Sequence, residues 1–93
     1  MKRIELNGNN YELIKEYKNG FEVDAVKEKL NETDYFDNYD YIFGDWAYGK
    51  LRLKGLYDKK NPKNNNSNSY ELIEEYIKKY CAYECRYFII KKI

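Results

Sequence analysis

Lys50, Arg52 and Lys54 occupy every second position of a short run, with Leu51 and Leu53 between them and Tyr48 just upstream. On a strand, successive side chains point to opposite faces, so the three cations share one face at intervals of ~7 Å. Lys59, Lys60 and Lys63 follow, giving residues 50–63 six cations against the single acid Asp58. Cations interleaved with an aromatic ring suit phosphate oxygens and unpaired bases, the charge taking one and the ring stacking on the other. The plainer reading of the same pattern is a solvated strand face kept charged for solubility. A larger basic platform requires the last strand to lie beside this one, adding Arg86, Lys91 and Lys92.

Other candidate chemistry is thinner. Asp34, Asp37, Asp40 and Asp45 are spaced among Tyr35, Phe36, Tyr39, Tyr41 and Trp46. Converging carboxylates suit a hard cation, but there is no EF-hand spacing, and turn roles or pairing with the basic strand explain these acids. Asp45, between Gly44 and Trp46, reads as a brace for a turn. Cys81 and Cys85 have three residues between them, whereas redox motifs have two and zinc needs four ligands, so two buried structural thiols are expected. The chain has no His, which removes Ser–His and Cys–His nucleophile pairs and the usual base near neutral pH. Ser occurs only as Ser67 and Ser69. No catalytic residue, metal or cofactor is therefore assigned, and the expectation is a non-enzyme.

Ninety-three residues bound the chain to one domain. Residues 1–47 carry six Lys/Arg against eleven Asp/Glu, net −5; residues 48–93 carry eleven against five, net +6, which together give the overall +1. A basic C-terminal half steers acidic partners, unless the halves interleave and neutralise each other. No apolar run approaches a membrane span, and Met-Lys-Arg-Ile-Glu-Leu has no apolar leader region, so a cytoplasmic location without membrane contact is expected. The twelve Tyr cannot all be buried, so some face solvent or a partner.

The supporting elements read as follows. Lys2–Leu6, an Asn7-Gly8 turn and Tyr11–Tyr17 make a hairpin. In the second strand Tyr11, Leu13, Lys15 and Tyr17 share one side. Phe21–Leu30 is a helix by its apolar spacing. Tyr39–Phe43 and Tyr48–Tyr57 are strands joined by a turn at Gly44–Ala47. Gly44, Gly49 and Gly55 mark positive φ, bulges or close backbone approach rather than a phosphate loop. Residues 58–69 form a mobile polar loop. Tyr70–Tyr80 is the clearest helix, with Leu72, Ile73, Tyr76, Ile77 and Tyr80 in one stripe and Asn68 or Ser69 as cap. Tyr83–Ile90 is a final strand, apolar on both faces near its end, as in a central position covered on both sides. The order β-β-α-β-β-α-β implies an α+β single domain over residues 1–93, a mainly antiparallel sheet with two helices packed on one face.

Tyr39-Asp-Tyr-Ile-Phe-Gly-Asp-Trp-Ala-Tyr-Gly-Lys-Leu-Arg-Leu-Lys-Gly-Leu-Tyr57 resembles the YutD-like family of small bacterial proteins. The resemblance continues through Tyr80-Cys-Ala-Tyr-Glu-Cys-Arg-Tyr-Phe-Ile-Ile90 and, more loosely, Tyr11-Glu-Leu-Ile14. It implies a cytosolic single-domain protein and carries no established activity, catalytic residue or ligand.

The expectation is then an RNA-binding module, or one for another acidic partner, using Tyr48, Lys50, Arg52, Lys54, Lys59, Lys60, Lys63 and Arg86. The alternative is a protein-interaction or regulatory adaptor, self-associating or binding another protein, with Asp45 and Trp46 at the contact.

Overall fold

Two antiparallel hairpins and one joining strand build the molecule. The computed structural model describes residues 2–6, 8–80 and 85–93. Strands β1 (Lys2–Leu6) and β2 (Asn9–Tyr17) form the first hairpin; β3 (Tyr41–Ala47) and β4 (Lys50–Leu56) form the second. Strand β5 (Tyr87–Lys92) lies between them, pairing with β2 and β3, so the sheet order is β1-β2-β5-β3-β4, antiparallel throughout. Helix α1 (Val23–Asn31) and a short 3-10 turn (Tyr35–Asn38) connect the hairpins. A 3-10 turn (Tyr70–Leu72) leads into α2 (Ile73–Tyr80), which precedes β5. Among the described residues no helix is long and apolar enough to cross a membrane.

The α+β class, the element order and the antiparallel sheet agree with the sequence. The expected placement of both helices on one face does not. Val26 and Leu30 of α1 pack with Leu6, Tyr11, Ile42, Leu51, Phe88 and Ile90. Ile73 of α2 packs instead with Tyr41, Phe43, Leu56 and Ile89. Neighbours Ile42 and Phe43 thus enter different cores, and so do Phe88 and Ile89, which puts one helix on each face. The cause is apolarity on both faces of β3 and β5: a sheet that is greasy on both sides needs two covers.

The second hairpin also turns later than expected. Gly44 lies inside β3, where a Cβ would come 2.2 Å from the Phe88 ring, so glycine is there to admit that ring. Gly55 has the same role beneath Tyr39, where a Cβ would come 2.3 Å from the ring. The turn itself is Tyr48-Gly49, with φ of 54° and 75°. Positive φ at both central residues is the type I′ pattern, whose twist matches that of the flanking strands. Tyr48 is therefore a turn residue rather than a member of the basic strand face.

In the first hairpin, the β2–β5 register shifts between Leu13 and Lys15. One extra residue reverses the alternation beyond it. Leu13 shares the α1 face with Tyr11, whereas Lys15, expected on the same side, reaches Glu74 of α2, Nζ to Oε1 2.8 Å, and Tyr17 stacks on Tyr87 at 5.5 Å. Helix α1 starts two residues later than the apolar spacing suggested, and Phe21 instead sits edge-on to Phe88 at 5.1 Å. Ser69 precedes the Tyr70–Leu72 turn without a side-chain cap. Asn68 does not cap it either: its Nδ2 donates to Gly55 O at 2.8 Å.

Candidate functional site

The three expected strand cations do line up on β4. Lys50, Arg52 and Lys54 share the face that carries α2, while Leu51 and Leu53 join the core on the α1 face. Their situations differ. Lys50 is exposed beside the turn. Arg52 stands opposite Asp45 in the β3–β4 register and grips it with two bonds, Nε to Oδ1 at 3.0 Å and Nη2 to Oδ2 at 2.5 Å. This bond to the carboxylate pushes the guanidinium pKa up further, against the lowering effect of desolvation. The Asp45 side chain is 4% exposed and that of Arg52 53% exposed, so a buried anion is held by a cation that still faces water. Lys54 Nζ sits 5.0 Å from the centre of the Tyr76 ring on α2. Phe43, Asp45, Arg52, Leu53, Lys54 and Tyr76 line a recess of about 260 Å³.

Asp45 is thus not a turn brace. It is a buried strand residue answered across the hairpin. Positions 45 and 52 are equidistant from the Tyr48-Gly49 turn, and that symmetry was the available signal; placing the turn at Gly44–Ala47 concealed it.

The remaining candidates divide among other regions. Trp46 faces α1, opposite to Asp45. It is half-buried against the core and donates Nε1–H to Gly20 O at 2.7 Å. Arg86 stacks on this ring at 4.8 Å, donates to Asn19 O and pairs with Glu22. It therefore lies on the other face from Arg52, and β3 separates β5 from β4. The platform joining Lys50, Arg52 and Lys54 to Arg86 does not form. Lys91 sits 6.0 Å from the centre of the Tyr41 ring, and Lys92 Nζ donates to Asp37 O.

Lys59 and Lys60 border a second recess of about 430 Å³ with Tyr41, Asp58, Tyr70 and Glu71, at the end of the hairpin remote from Lys50. Tyr41 and Tyr70 stack there face to face, centroids 4.0 Å apart. Lys63 is exposed in the polar segment. That segment carries its own hydrogen bonds: Asp40 Oδ2 accepts from Asp58 N and Asn61 Nδ2, Asn65 Oδ1 accepts from Ser67 N and Asn68 N, and Tyr57 bridges Ser69. Asp37 accepts from Asn9 Nδ2, so the acids at 37, 40 and 45 each have a structural partner. Cys85 is half-buried and disulfide-bonded, not the thiol expected; Cys81 lies outside the described residues.

Tyr48 stands apart. It is fully exposed at the hairpin tip, 103% of its reference area, on a backbone with φ of 54°. A left-handed backbone costs an L-residue other than Gly, Asn or Asp about 1–2 kcal/mol. Neither the turn nor the core asks for an aromatic ring there.

Residues 5–91 match the sequence profile of a family described as "Putative antitoxin YutD-like". A relative from Bacillus subtilis (strain 168), described as "Putative antitoxin YutD", is 42% identical over 83 residues, 89% of each chain. The solution NMR structure of protein yutD from Bacillus subtilis superposes with a TM-score of 0.80 at 39% identity, covering all of this chain and 83% of that one.

Proposed function

This chain belongs to the YutD-like family, and from that premise we propose that it is a non-enzymatic, cytoplasmic protein-binding module that restrains a partner protein, as the word antitoxin in its relative's description suggests. The contact centres on the tip and outer edge of the β3–β4 hairpin. Tyr48 carries this reading. An exposed aromatic ring at this position suits an interface anchor, because the turn needs the positive φ but would take Gly, Asn or Asp there at less cost, and Tyr is enriched among residues that dominate binding.

The charge arrangement favours protein over RNA. Single-stranded RNA is read on open sheet faces or grooves where rings lie free to stack. Here a helix covers each face, Tyr41 is stacked on Tyr70, Arg52 is paired with Asp45, and Arg86 points elsewhere with Glu22. Lys50, Lys59, Lys60 and Lys63 lack ion-pair partners among the described residues, and they are what remains of the RNA-binding reading.

The test is recovery of the tagged chain from its host at low salt, with and without nuclease, beside a Tyr48→Ala variant. A protein held in fixed ratio through nuclease treatment, and bound about 30-fold more weakly by Tyr48→Ala, is expected. Recovery of RNA alone, released by nuclease and indifferent to Tyr48, overturns the reading.

A further inference from the structure

Strand β4 ends the sheet, and its outer side is open. Gly55 O accepts from Asn68 Nδ2 and so points away from β3. In an antiparallel ladder the backbone groups alternate in direction, so the N–H and C=O of Leu51 and Leu53 point outward as well. Among the described residues nothing pairs with them. β4 has no bulge against β3 and contains no Pro. Of the usual ways of blunting an edge it uses charge alone.

We propose that this edge takes an extended segment of the partner protein as a sixth strand, and that the segment alternates acidic with apolar side chains. The inference rests on the protein-binding reading above and specifies the partner's chemistry. A strand added beside β4 places alternate side chains next to Lys50, Arg52 and Lys54 on one face and next to Leu51 and Leu53 on the other. Cross-strand neighbours of opposite charge stabilise pairing, so carboxylates belong on the first face. Apolar groups belong on the second, continuing the cluster that contains Leu51 and Leu53. Lys50 and Lys54, without ion-pair partners among the described residues, supply the charge on this face, and Arg52, which donates two bonds to Asp45, adds a fixed side chain of which about half stays accessible.

A second copy of the chain is a poor occupant. Antiparallel pairing of β4 with itself sets Lys50, Arg52 and Lys54 against the same cations, and like charges directly opposite destabilise a sheet. The other edge, β1, gives no such selection, because Arg3 and Glu5 lie on one face with opposite signs. The docking length is also bounded. The Tyr48-Gly49 turn closes one end, and the Asn68–Gly55 bond with the Tyr57–Ser69 bridge closes the other. Residues 50–54 remain, enough for a segment of about five residues and ~17 Å.

The experiment titrates a peptide alternating Glu and Val into the isotope-labelled full chain and follows amide shifts and hydrogen exchange. Leu51 and Leu53 amides are expected to shift and to exchange more slowly, with Arg52, already bonded to β3, little changed. A peptide with Lys in place of Glu is expected not to bind. Leu53→Pro, which removes one outward N–H, is expected to abolish binding; because it also trims the core, Lys50→Glu with Lys54→Glu serves as a second variant and is expected to weaken binding about tenfold. Perturbation centred away from β4, equal binding of the Lys peptide, slowing of Leu51 and Leu53 by protein concentration alone, or the same slowing by an RNA oligonucleotide overturns the proposal. The same amides are then followed with the captured partner: a partner that binds while leaving Leu51 and Leu53 unprotected defeats this inference and spares the protein-binding reading, whereas the absence of a protein partner defeats both.

Discussion

Removing Arg52 tests the electrostatic reasoning most directly, because it strands a carboxylate inside the protein. The Asp45 side chain is 4% exposed, and no cation besides Arg52 is bonded to it among the described residues. Breaking a buried pair by deleting one member typically costs 3–5 kcal/mol. Here the deleted member is half in solvent, so water can reach part of the vacated space, and about 2–3 kcal/mol is the appropriate loss for Arg52→Ala. A domain of this size has roughly 5–14 kcal/mol in total. The variant therefore folds, with a midpoint lowered by roughly 10–20 °C. Arg52→Lys restores the charge without the two-pronged geometry and is expected to recover only part of the loss. Replacing both residues by Leu is expected to regain most of it, since the buried charge is gone. Urea unfolding of Arg52→Leu, Asp45→Leu and the double variant gives the coupling, expected at about 2 kcal/mol. An Arg52→Ala loss within ~0.5 kcal/mol, or a double variant as unstable as the sum of the singles, would falsify the claim that Asp45 depends on Arg52.

Three further outcomes are expected. Tyr48→Gly relieves the positive φ at the tip and is expected to raise stability by about 1 kcal/mol in denaturant unfolding while weakening partner binding; a loss of stability would mean the ring contributes to the fold. Gly44→Ala drives a Cβ into the Phe88 ring and is expected to cost about 3 kcal/mol; a variant as stable as the parent would show that the ring moves aside freely. Burial raises the pKa of Tyr11, Tyr39 and Tyr41 above the ordinary 10.0, so the folded state holds these protons after the unfolded chain has released them. Their contribution is complete below pH 10.0 and is lost as pH rises beyond it, so the urea midpoint is expected to fall over that range, and an unchanged midpoint there would contradict their burial.

The local signals served well where a local cause acted. The pairing of β1 with β2, the amphipathic character of α2 and the two-faced apolarity of β5 were all visible in residue order. The misses have causes distant in sequence. Gly44 looks like a turn residue until the Phe88 ring is placed against it. The bulge at Ile14 has no composition signature, yet it moves Lys15 and Tyr17 to the other face. The helix placement was inferable, since a strand apolar on both faces already requires a cover on each side. At the candidate site, the row of Lys50, Arg52 and Lys54 was legible from alternation. The separation of Arg86 from it was not, because that depends on β3 lying between β5 and β4.

The central place of β5 governs how the domain assembles. β2 and β3 do not pair, so β1–β2 and β3–β4 belong to one sheet only through β5. Tyr11 pairs with Lys92, residues separated by most of the chain, and loops of that span must close before the pairing is rewarded. Folding slow by the standards of small domains follows, with two marginal hairpins waiting on one strand. Until that strand docks, the edges of β2 and β3 and the apolar side chains on both faces are exposed together, so the newly made chain is most vulnerable to proteases and aggregation before β5 arrives.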